Sequence, residues 1–538
     1  MTAQPTPTSP PAGETAVTWE GLLAAALVGT ARRPPPRALD LDIVLGSDEA
    51  SDPAAVLLAE AAVLSAYRRA GRLPAGSPRN LPPPAEPDER PAVSTTAVEV
   101  LELVLSGEVP IPGGVALLAG QWLDGAARAG RRLPARLLPR LLDLGSANPA
   151  LQTALRTVVG PRGRWLAGHH DRWGWASRET VDDLEAAAQR FATAAKAERP
   201  AILEGVRRAD ATRGRDLLSS TWKGDPATER AALLAVLAVE LSDDDEPFLE
   251  AALDDRSSGV RQAAIDLLAR LPASRRAARM AERLQALVRH GDAQGGVLSV
   301  LRGQGRRSSL SFAPLEELDV SARRDGINDA APAGMGVSAW RLAQLVAGAP
   351  LSFWTEHVGL SPAETAALAT ADGSPTRGRP GGRGLPAGPL LLGLESAVVA
   401  QAGRANRDWA VAVFAHRPSS PVLAAMPPDL AAEELARLLG SGLGPGPAVA
   451  ELFAACPGPW PEPLGQAVLD RYRQLGARAT LELQAALPVL AARLDPSALP
   501  LVETWVIALA DDQSLRRRVQ TLGHALSLRA VIQREFPS

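Results

Sequence analysis

A histidine pair, a Ser/Lys spacing and one cysteine are the residues of this sequence whose types could support chemistry. His169 and His170 are adjacent, but no HExxH spacing or distant His/Cys pair completes a metal site, so a solvated turn is the favoured interpretation. Ser220 and Lys223 have the S-x-x-K spacing of some serine acylating enzymes, yet the accompanying S-D-N and K-T-G elements are missing. Cys456 precedes a proline, with no histidine nearby in sequence. We therefore predict no catalytic residue, no metal and no cofactor, and a surface position for Lys223.

Two acidic runs and the glycine-rich segments are the remaining candidates for ligand binding. Asp243–Glu246 and Asp254-Asp255 lack the alternating ligand spacing of a calcium loop, and aspartate is common at turns and helix starts. A Walker A loop needs Gly-Lys-Ser/Thr, and neither of the two lysines follows a glycine. The acidic runs are therefore predicted to begin helices, and the glycine-rich segments to be linkers.

Tryptophan and arginine form the most unusual cluster. The chain has eleven Trp against seven Phe and two Tyr. The clustered residues are Arg162, Arg164, Trp165, Arg172, Trp173 and Trp175. We consider three interpretations, in order of preference: a structural cap, a binding surface for a protein partner, and a platform for nucleic-acid bases. The second rests on the enrichment of Trp and Arg in interface hot spots. A partner surface requires Trp173 or Trp175 to be substantially exposed.

The composition indicates that helices position these residues. Of 538 residues, 46% are hydrophobic and only 4% aromatic, and the abundant Ala, Leu and Arg favour helix over strand. Only two of the 57 basic residues are lysine, which we interpret as the imprint of a GC-rich genome, so single arginines carry little functional signal. A net charge of −3 argues against a dedicated nucleic-acid binder.

The sequence also predicts where the protein resides. The Pro- and Thr-rich start is unlike a signal peptide. No uncharged apolar stretch reaches the ~20 residues that span a bilayer. We therefore expect no membrane association and a cytoplasmic location. A single cysteine also excludes an internal disulfide framework.

Proline- and glycine-rich stretches divide the chain into segments. The predicted segments are a disordered tail (1–13), an N-terminal helical segment (14–73), a Pro-rich linker (74–91), a helical region with HEAT-like repeats (92–310, clearest at 199–290), a loop with helical hairpins (311–370), a Gly/Arg/Pro linker (371–389) and a second, C-terminal helical lobe (390–538). The predicted fold is all-α, an α-solenoid of helical hairpins with linkers and a second lobe.

The clearest repeat has one apolar face. Val260, Ala264, Leu267 and Leu268 fall at helical spacing after a turn that contains Asp254-Asp255. Short helices with one apolar face must stack on neighbours to bury it, which is the physical basis of a solenoid. We predict that these four residues and Leu253 are buried, and that Arg261, Asp266 and Arg270 face solvent.

These residues resemble known families. Residues 253–268 resemble a HEAT-repeat hairpin, with Asp in the turn and Val-Arg opening the second helix. More widely, Gly29-Thr-Ala-Arg-Arg33, residues 160–166, Trp222 through Phe248, Arg324-Asp-Gly-Ile327 and residues 340–345 resemble an uncharacterised bacterial family of unknown function. Such families are similar to those encoded beside MoxR-type AAA ATPases, von Willebrand A-domain proteins and SWIM zinc-finger proteins.

The function expected from these features is a non-catalytic scaffold or adaptor. The resemblance implies a protein partner from an AAA ATPase or A-domain system. A nucleic-acid-binding repeat protein that uses the Trp/Arg cluster is the second alternative, and a hydrolase with an unrecognised site is the third. Binding of nucleic acid is disfavoured by the net charge of −3.

Overall fold

The protein is mostly helical. The computed structural model describes residues 18–37, 52–70, 82–177, 184–292, 308–371, 388–402, 407–442, 447–509 and 512–537. Helix makes up 72% of the structure, which confirms the all-α prediction. The chain divides into two compact units, Met1–Ala85 and Glu86–Ser538. The predicted boundaries at 310/311 and 389/390 therefore fall inside the second unit. The predicted tail 1–13 and most of the linkers, 74–81 and 372–387, lie outside the described residues.

The described residues of unit 1 form two helices that pack on each other. They are α1 (Trp19–Val28) and α2 (Pro53–Ala70). The Thr18 hydroxyl accepts a hydrogen bond from the Gly21 amide at 3.1 Å, so Thr18 is the N-cap of α1. Leu22 and Ala25 are buried on one face of α1.

Unit 2 begins with a group of short helices around one core. They are α3 (Thr95–Ser106), α4 (Val115–Arg128), α5 (Leu138–Ala147), α6 (Gln152–Val158), α7 (Gly160–Gly168) and α8 (Gly174–Ser177). Trp122 is fully buried, and its indole N–H donates to the Ala97 carbonyl at 2.8 Å. That bond satisfies the single polar atom of the largest side chain in this core.

A second core lies under the helices in which the sequence predicted repeats. They are α9 (Leu184–Thr193), α10 (Arg199–Ala209), α11 (Ala211–Thr221), α12 (Ala227–Ala235), α13 (Glu246–Ala252) and α14 (Ser258–Leu268). All five residues of the predicted apolar face, from Leu253 to Leu268, are buried. Asp266 and Arg270 are exposed as predicted. Arg261 is half-buried instead, because its guanidinium donates to the carbonyls of Asp255 and Arg256 at 2.8 and 3.0 Å.

Two paired strands follow α15 (Arg275–Leu287), in residues that the sequence assigned to the helical region (92–310) and to the loop with helical hairpins (311–370). The antiparallel strands β1 (Val288–Asp292) and β2 (Ser308–Phe312) pair Val288 with Phe312 and His290 with Leu310. Leu310 and Phe312 share one face of β2 and join the third and largest core. Two apolar residues at strand spacing in a serine-rich stretch give too weak a periodic signal to predict a strand.

The third core is built by the remaining helices of unit 2. They are α16 (Val320–Arg324), α17 (Val337–Gly348), α18 (Pro362–Ala371), α19 (Pro389–Ala400), α20 (Arg407–His416), α21 (Ser420–Ala425), α22 (Pro428–Gly440), α23 (Pro447–Ala455), α24 (Glu462–Leu475), α25 (Thr480–Arg493), α26 (Leu499–Ala508) and α27 (Gln513–Glu535).

Many helices of this part pack on the helix that lies two positions further along the chain. One row runs α15, α17, α19, α21, α23, α25 and α27, and each of these helices packs on the next one in the row. Shorter rows, α18 with α20 and α22 with α24 and α26, lie beside it. Most helices from Arg275 to Glu535 therefore belong to rows of contacting helices, each burying one face against its neighbours.

The last helix of unit 2 packs on its first helices. α27 contacts both α3 and α4. Arg529 donates to the side-chain oxygen of Gln121 at 2.8 Å, and Ser94 hydrogen-bonds Glu535. Phe536 packs edge-on against Trp122, with ring centroids 5.2 Å apart. Residues that the sequence assigned to a separate C-terminal lobe thus complete the core of the first helices.

Candidate partner-binding site

The six predicted site residues lie on one succession of short helices. Arg162, Arg164 and Trp165 are on α7. Arg172 and Trp173 belong to a 3₁₀ turn, Asp171–Trp173, and Trp175 lies on α8. α7 packs on α5, on this turn and on α8. The structure therefore brings the cluster together at one edge of the first core of unit 2.

Trp175 supports the fold at this edge. Its indole N–H donates to the Ser146 hydroxyl at 3.1 Å. Its ring rests on Gly145, where an added Cβ would overlap the ring, so α5 must carry a glycine at that position. Trp175 is half-buried and packs on the core. Trp175 thus joins α8 to α5 through this hydrogen bond and this packing.

Trp173 is held by hydrogen bonding and stacking. Its indole N–H donates to Asp143 at 3.0 Å, and Arg172 forms an ion pair with the same carboxylate. These two donors lower the pKa of Asp143, with the Trp173 bond as the larger cause. The His170 ring stacks on Trp173, with centroids 4.2 Å apart.

The expected exposure of Trp173 or Trp175 is not found. Both indoles are half-buried, because each N–H is turned toward α5 and each ring packs on the core. Trp165 is also half-buried, and the His169 ring approaches it edge-on. The arginines behave differently, since Arg162, Arg164 and Arg172 are all exposed.

The match to a protein family covers the whole of this architecture. The family model described as Family of unknown function (DUF5691) matches residues 21–536. The chain belongs to this family. No curated protein and no solved structure matches it. The match begins within α1 of unit 1 and ends just after α27, so both units are part of the DUF5691 sequence.

Ser220, Lys223 and Cys456 are the other chemical candidates of this DUF5691 member. Ser220 donates to the Leu217 carbonyl at 2.7 Å, and Lys223 lies beyond the end of α11. Burial raises the pKa of the Cys456 thiol to about 11. Among the described residues, no three His, Cys, Asp or Glu side chains converge as a metal site would require. None of the described helices combines the length and apolar character needed to cross a bilayer.

Buried arginines are the feature that sequence interpretation missed. Arg207 of α10 and Asp245 are both completely buried, and their side chains pair at 2.9 Å. Asp245 also closes a capping box with Ser242, so the acidic run does begin a helix as predicted. Asp225, two residues before the start of α12, binds Arg199 at 2.8 Å and accepts a hydrogen bond from Thr221.

A second group of charges, with buried carboxylates and half-buried arginines, joins α13, α15 and α16. Arg279 donates to Glu250 at 3.0 Å and to Asp325 at 2.9 Å. Arg283 donates to Asp325 at 2.7 Å, and Arg324 pairs with Glu250 at 3.2 Å. Burial alone would raise the pKa of Asp325, but the hydrogen bonds from Arg279 and Arg283 outweigh it, so the pKa is lowered.

A sequence signal for these pairs does exist. Arg199 and Asp225 are 26 residues apart, Arg230 and Asp255 are 25 apart, and Glu250 and Arg279 are 29 apart. Each pair therefore spans one intervening α-helix, which is α11, α13 and α14 respectively. Because arginine is the default cation of the chain, the composition concealed the pattern.

Proposed function

We propose that this protein is a non-catalytic helical-repeat scaffold or adaptor that binds a protein partner from an AAA ATPase or von Willebrand A-domain system. The observation that carries the proposal is the packing of alternate helices in rows from α15 to α27. Such rows are typical of α-solenoids of HEAT-like hairpins, whose stacked helices present a broad surface to other proteins. The arginine–carboxylate pairs, whose members are 25 to 29 residues apart in the sequence, also support a repeated unit.

The partner surface in this proposal is the edge formed by α7 and the turn after it. Arg162 and Arg164 are exposed there, beside the half-buried ring of Trp165. The Arg172–Asp143 pair and the stacked His170 fix the neighbouring turn. Arginine beside a partly accessible indole on a rigid support is the composition of an interface hot spot.

Co-purification tests the proposal directly. The tagged chain is co-expressed with the MoxR-type ATPase and the A-domain protein of the same genome, and bound protein is quantified by mass spectrometry. We expect one of the two to co-purify, and Arg162→Ala with Arg164→Ala to reduce its recovery at least fivefold without lowering the Tm.

Arg256→Ala with Arg270→Ala is the matched control, because both residues are exposed arginines outside the proposed surface. Recovery should be unchanged in this variant. Absence of both candidate partners from the purified material contradicts the proposed partnership. Recovery that disappears after nuclease treatment supports the nucleic-acid alternative instead.

A further inference from the structure

Charge is distributed very unevenly along this chain. Residues 115–177 contain nine arginines, three aspartates and no glutamate, a formal charge of +6 within a chain whose net charge is −3. The net value therefore conceals a strongly basic region, which comprises α4 to α8. Local charge of this kind acts over about one Debye length, roughly 8 Å at physiological salt, whatever the total charge of the protein.

The basic region is directed outward. All of its arginines except Arg156 are exposed; together these eight side chains are called the basic surface. Within the described ranges, no carboxylate forms an ion pair with Arg128, Arg131, Arg162 or Arg164. Their charge is therefore available to a ligand, in contrast to the buried arginines of α10 and α15.

The structure also links parts of this surface into one stretch. Arg136 and Arg140 precede Asp143 by seven and three residues, which places all three on one side of the helical segment that includes α5. Asp143 in turn holds Arg172. Three exposed arginines thus follow one another from the 3₁₀ turn before α5 to the turn after α7.

The other end of the surface reaches the start of α7. Arg90 donates to the carbonyls of Thr157 and Val158 at 2.8 and 3.1 Å, immediately before the helix. Arg90 also pairs with Asp88 at 2.7 Å, and the charge of Arg132 contributes to the lowered pKa of that carboxyl. Arg132 therefore lies near the end of α7 that carries Arg162.

Two observations select the kind of ligand. Arg136 and Arg172 already hold carboxylates, Glu102 at 3.0 Å and Asp143, so the chain itself shows that these guanidinium groups bind acidic side chains. Nucleic-acid bases would need open aromatic faces. Instead, one face of Trp173 is covered by His170, and the ring of Trp175 rests on Gly145.

We propose that the basic surface binds an acidic, Asp/Glu-rich segment of the partner protein. Guanidinium groups bind carboxylates through paired hydrogen bonds, and several exposed arginines in succession match a run of acidic side chains. The inference rests on the proposed adaptor function and specifies the chemistry of the contact. Binding through exposed charges must weaken as salt screens them.

Fluorescence anisotropy tests this chemistry with defined probes. The full chain is titrated against a labelled 20-residue poly-glutamate peptide, a poly-glutamine peptide of equal length and a dT20 oligonucleotide, each in 50 and 300 mM NaCl. We expect saturable binding of poly-glutamate that weakens at the higher salt, no binding of poly-glutamine, and weaker binding of the oligonucleotide.

The variant with Arg128, Arg131, Arg162 and Arg164 each changed to Gln should raise the Kd for poly-glutamate about tenfold, since each exposed charge pair contributes modestly. Arg256→Gln with Arg270→Gln is the control and should leave the Kd within about twofold of the unchanged protein. Tm values of both variants show whether the fold is retained.

The outcomes separate this inference from the proposed function. Absence of poly-glutamate binding, or equal loss in the control variant, overturns the acidic-segment inference even if a partner co-purifies. Tighter binding of dT20 than of poly-glutamate, lost in the fourfold variant, replaces the acidic protein segment with nucleic acid. Charge-dependent binding of poly-glutamate without any co-purifying partner leaves the surface chemistry standing and contradicts the adaptor function.

Discussion

Arg207 occupies an interior position where every nitrogen of its guanidinium group donates to an acceptor. Arg207 donates to both carboxylate oxygens of Asp245 at 2.9 Å, and to the carbonyls of Ala211, Leu237, Val239 and Glu240. Glu240 has a positive φ of 50°, a backbone conformation that turns its carbonyl toward Arg207. A lysine could not satisfy these acceptors, because its ammonium group has three donors and no planar fork.

Loss of this guanidinium group should strongly destabilise the protein. Arg207→Met removes the fully buried partner of Asp245 and leaves that carboxylate with the half-buried Arg215 at 3.1 Å, which should cost about 3 kcal/mol of unfolding free energy. Chemical denaturation measures the difference. Arg208→Ala is the matched control, since this neighbouring arginine is exposed and its ion pair with Glu204 lies on the surface, and its loss should cost less than about 1 kcal/mol. Equal effects of the two substitutions would contradict the structural role of Arg207.

Asp325 gives the stability of the fold a defined acid dependence. Because Arg279 and Arg283 lower its pKa in the folded state below the ordinary value of 3.8, folding is favoured while the carboxylate is charged. The stabilisation is complete above the unfolded-state pKa and is lost as the pH falls through the lower, folded-state pKa. Unfolding free energy should therefore decrease below about pH 4.

Substitution of Asp325 tests this dependence. Asp325→Asn should lower the unfolding free energy at pH 7, and the decrease between pH 5 and pH 3 should be smaller than in the unchanged protein. Asp216→Asn, at an exposed position of α11, should alter neither value. An unchanged acid slope in Asp325→Asn would show that other carboxylates dominate acid unfolding.

At the scale of the helices, burial on one face determines stability. Leu267 lies on the buried face of α14, in the core formed by α9 to α14. Leu267→Ala removes methyl groups and leaves a cavity, so it should cost about 2–5 kcal/mol. Thermal or denaturant unfolding measures this loss. The same substitution at Leu481, a leucine of α25 that is 84% exposed, should have almost no effect.

Helices were predictable here because their signal is local. The Thr18 side chain caps the helix α1 that directly follows it, and the spacing from Val260 to Leu268 identifies the buried face of α14. The pairing of strands β1 and β2 was not predictable, because the pairing of Val288 with Phe312 depends on contacts distant in sequence. At the site, the sequence identified the Trp/Arg cluster but not its burial, since the contact of Trp175 with Gly145 is tertiary.

At the scale of unit 2, contacts between its first and last helices complete one core. Phe536 is 6% exposed and packs on Trp122 and on Gly125, where an added Cβ would come within 2.9 Å of it. Phe536→Ala should therefore cost about 3 kcal/mol and accelerate hydrogen exchange in α3 and α4. Arg534→Ala, an exposed change on the same helix, serves as the control. Unchanged exchange in α3 and α4 after Phe536→Ala would contradict this role of α27.

The contact between α27 and the first helices determines the order in which the protein can be completed on the ribosome. Ser94 and Glu535 are separated by 441 residues, so Trp122 and its neighbours are synthesised long before the segment that covers them. Until α27 leaves the exit tunnel, the nascent chain presents an apolar surface of the kind that chaperones and proteases recognise. A chain terminated early keeps that surface uncovered, and cellular quality control can thereby distinguish it from the finished protein.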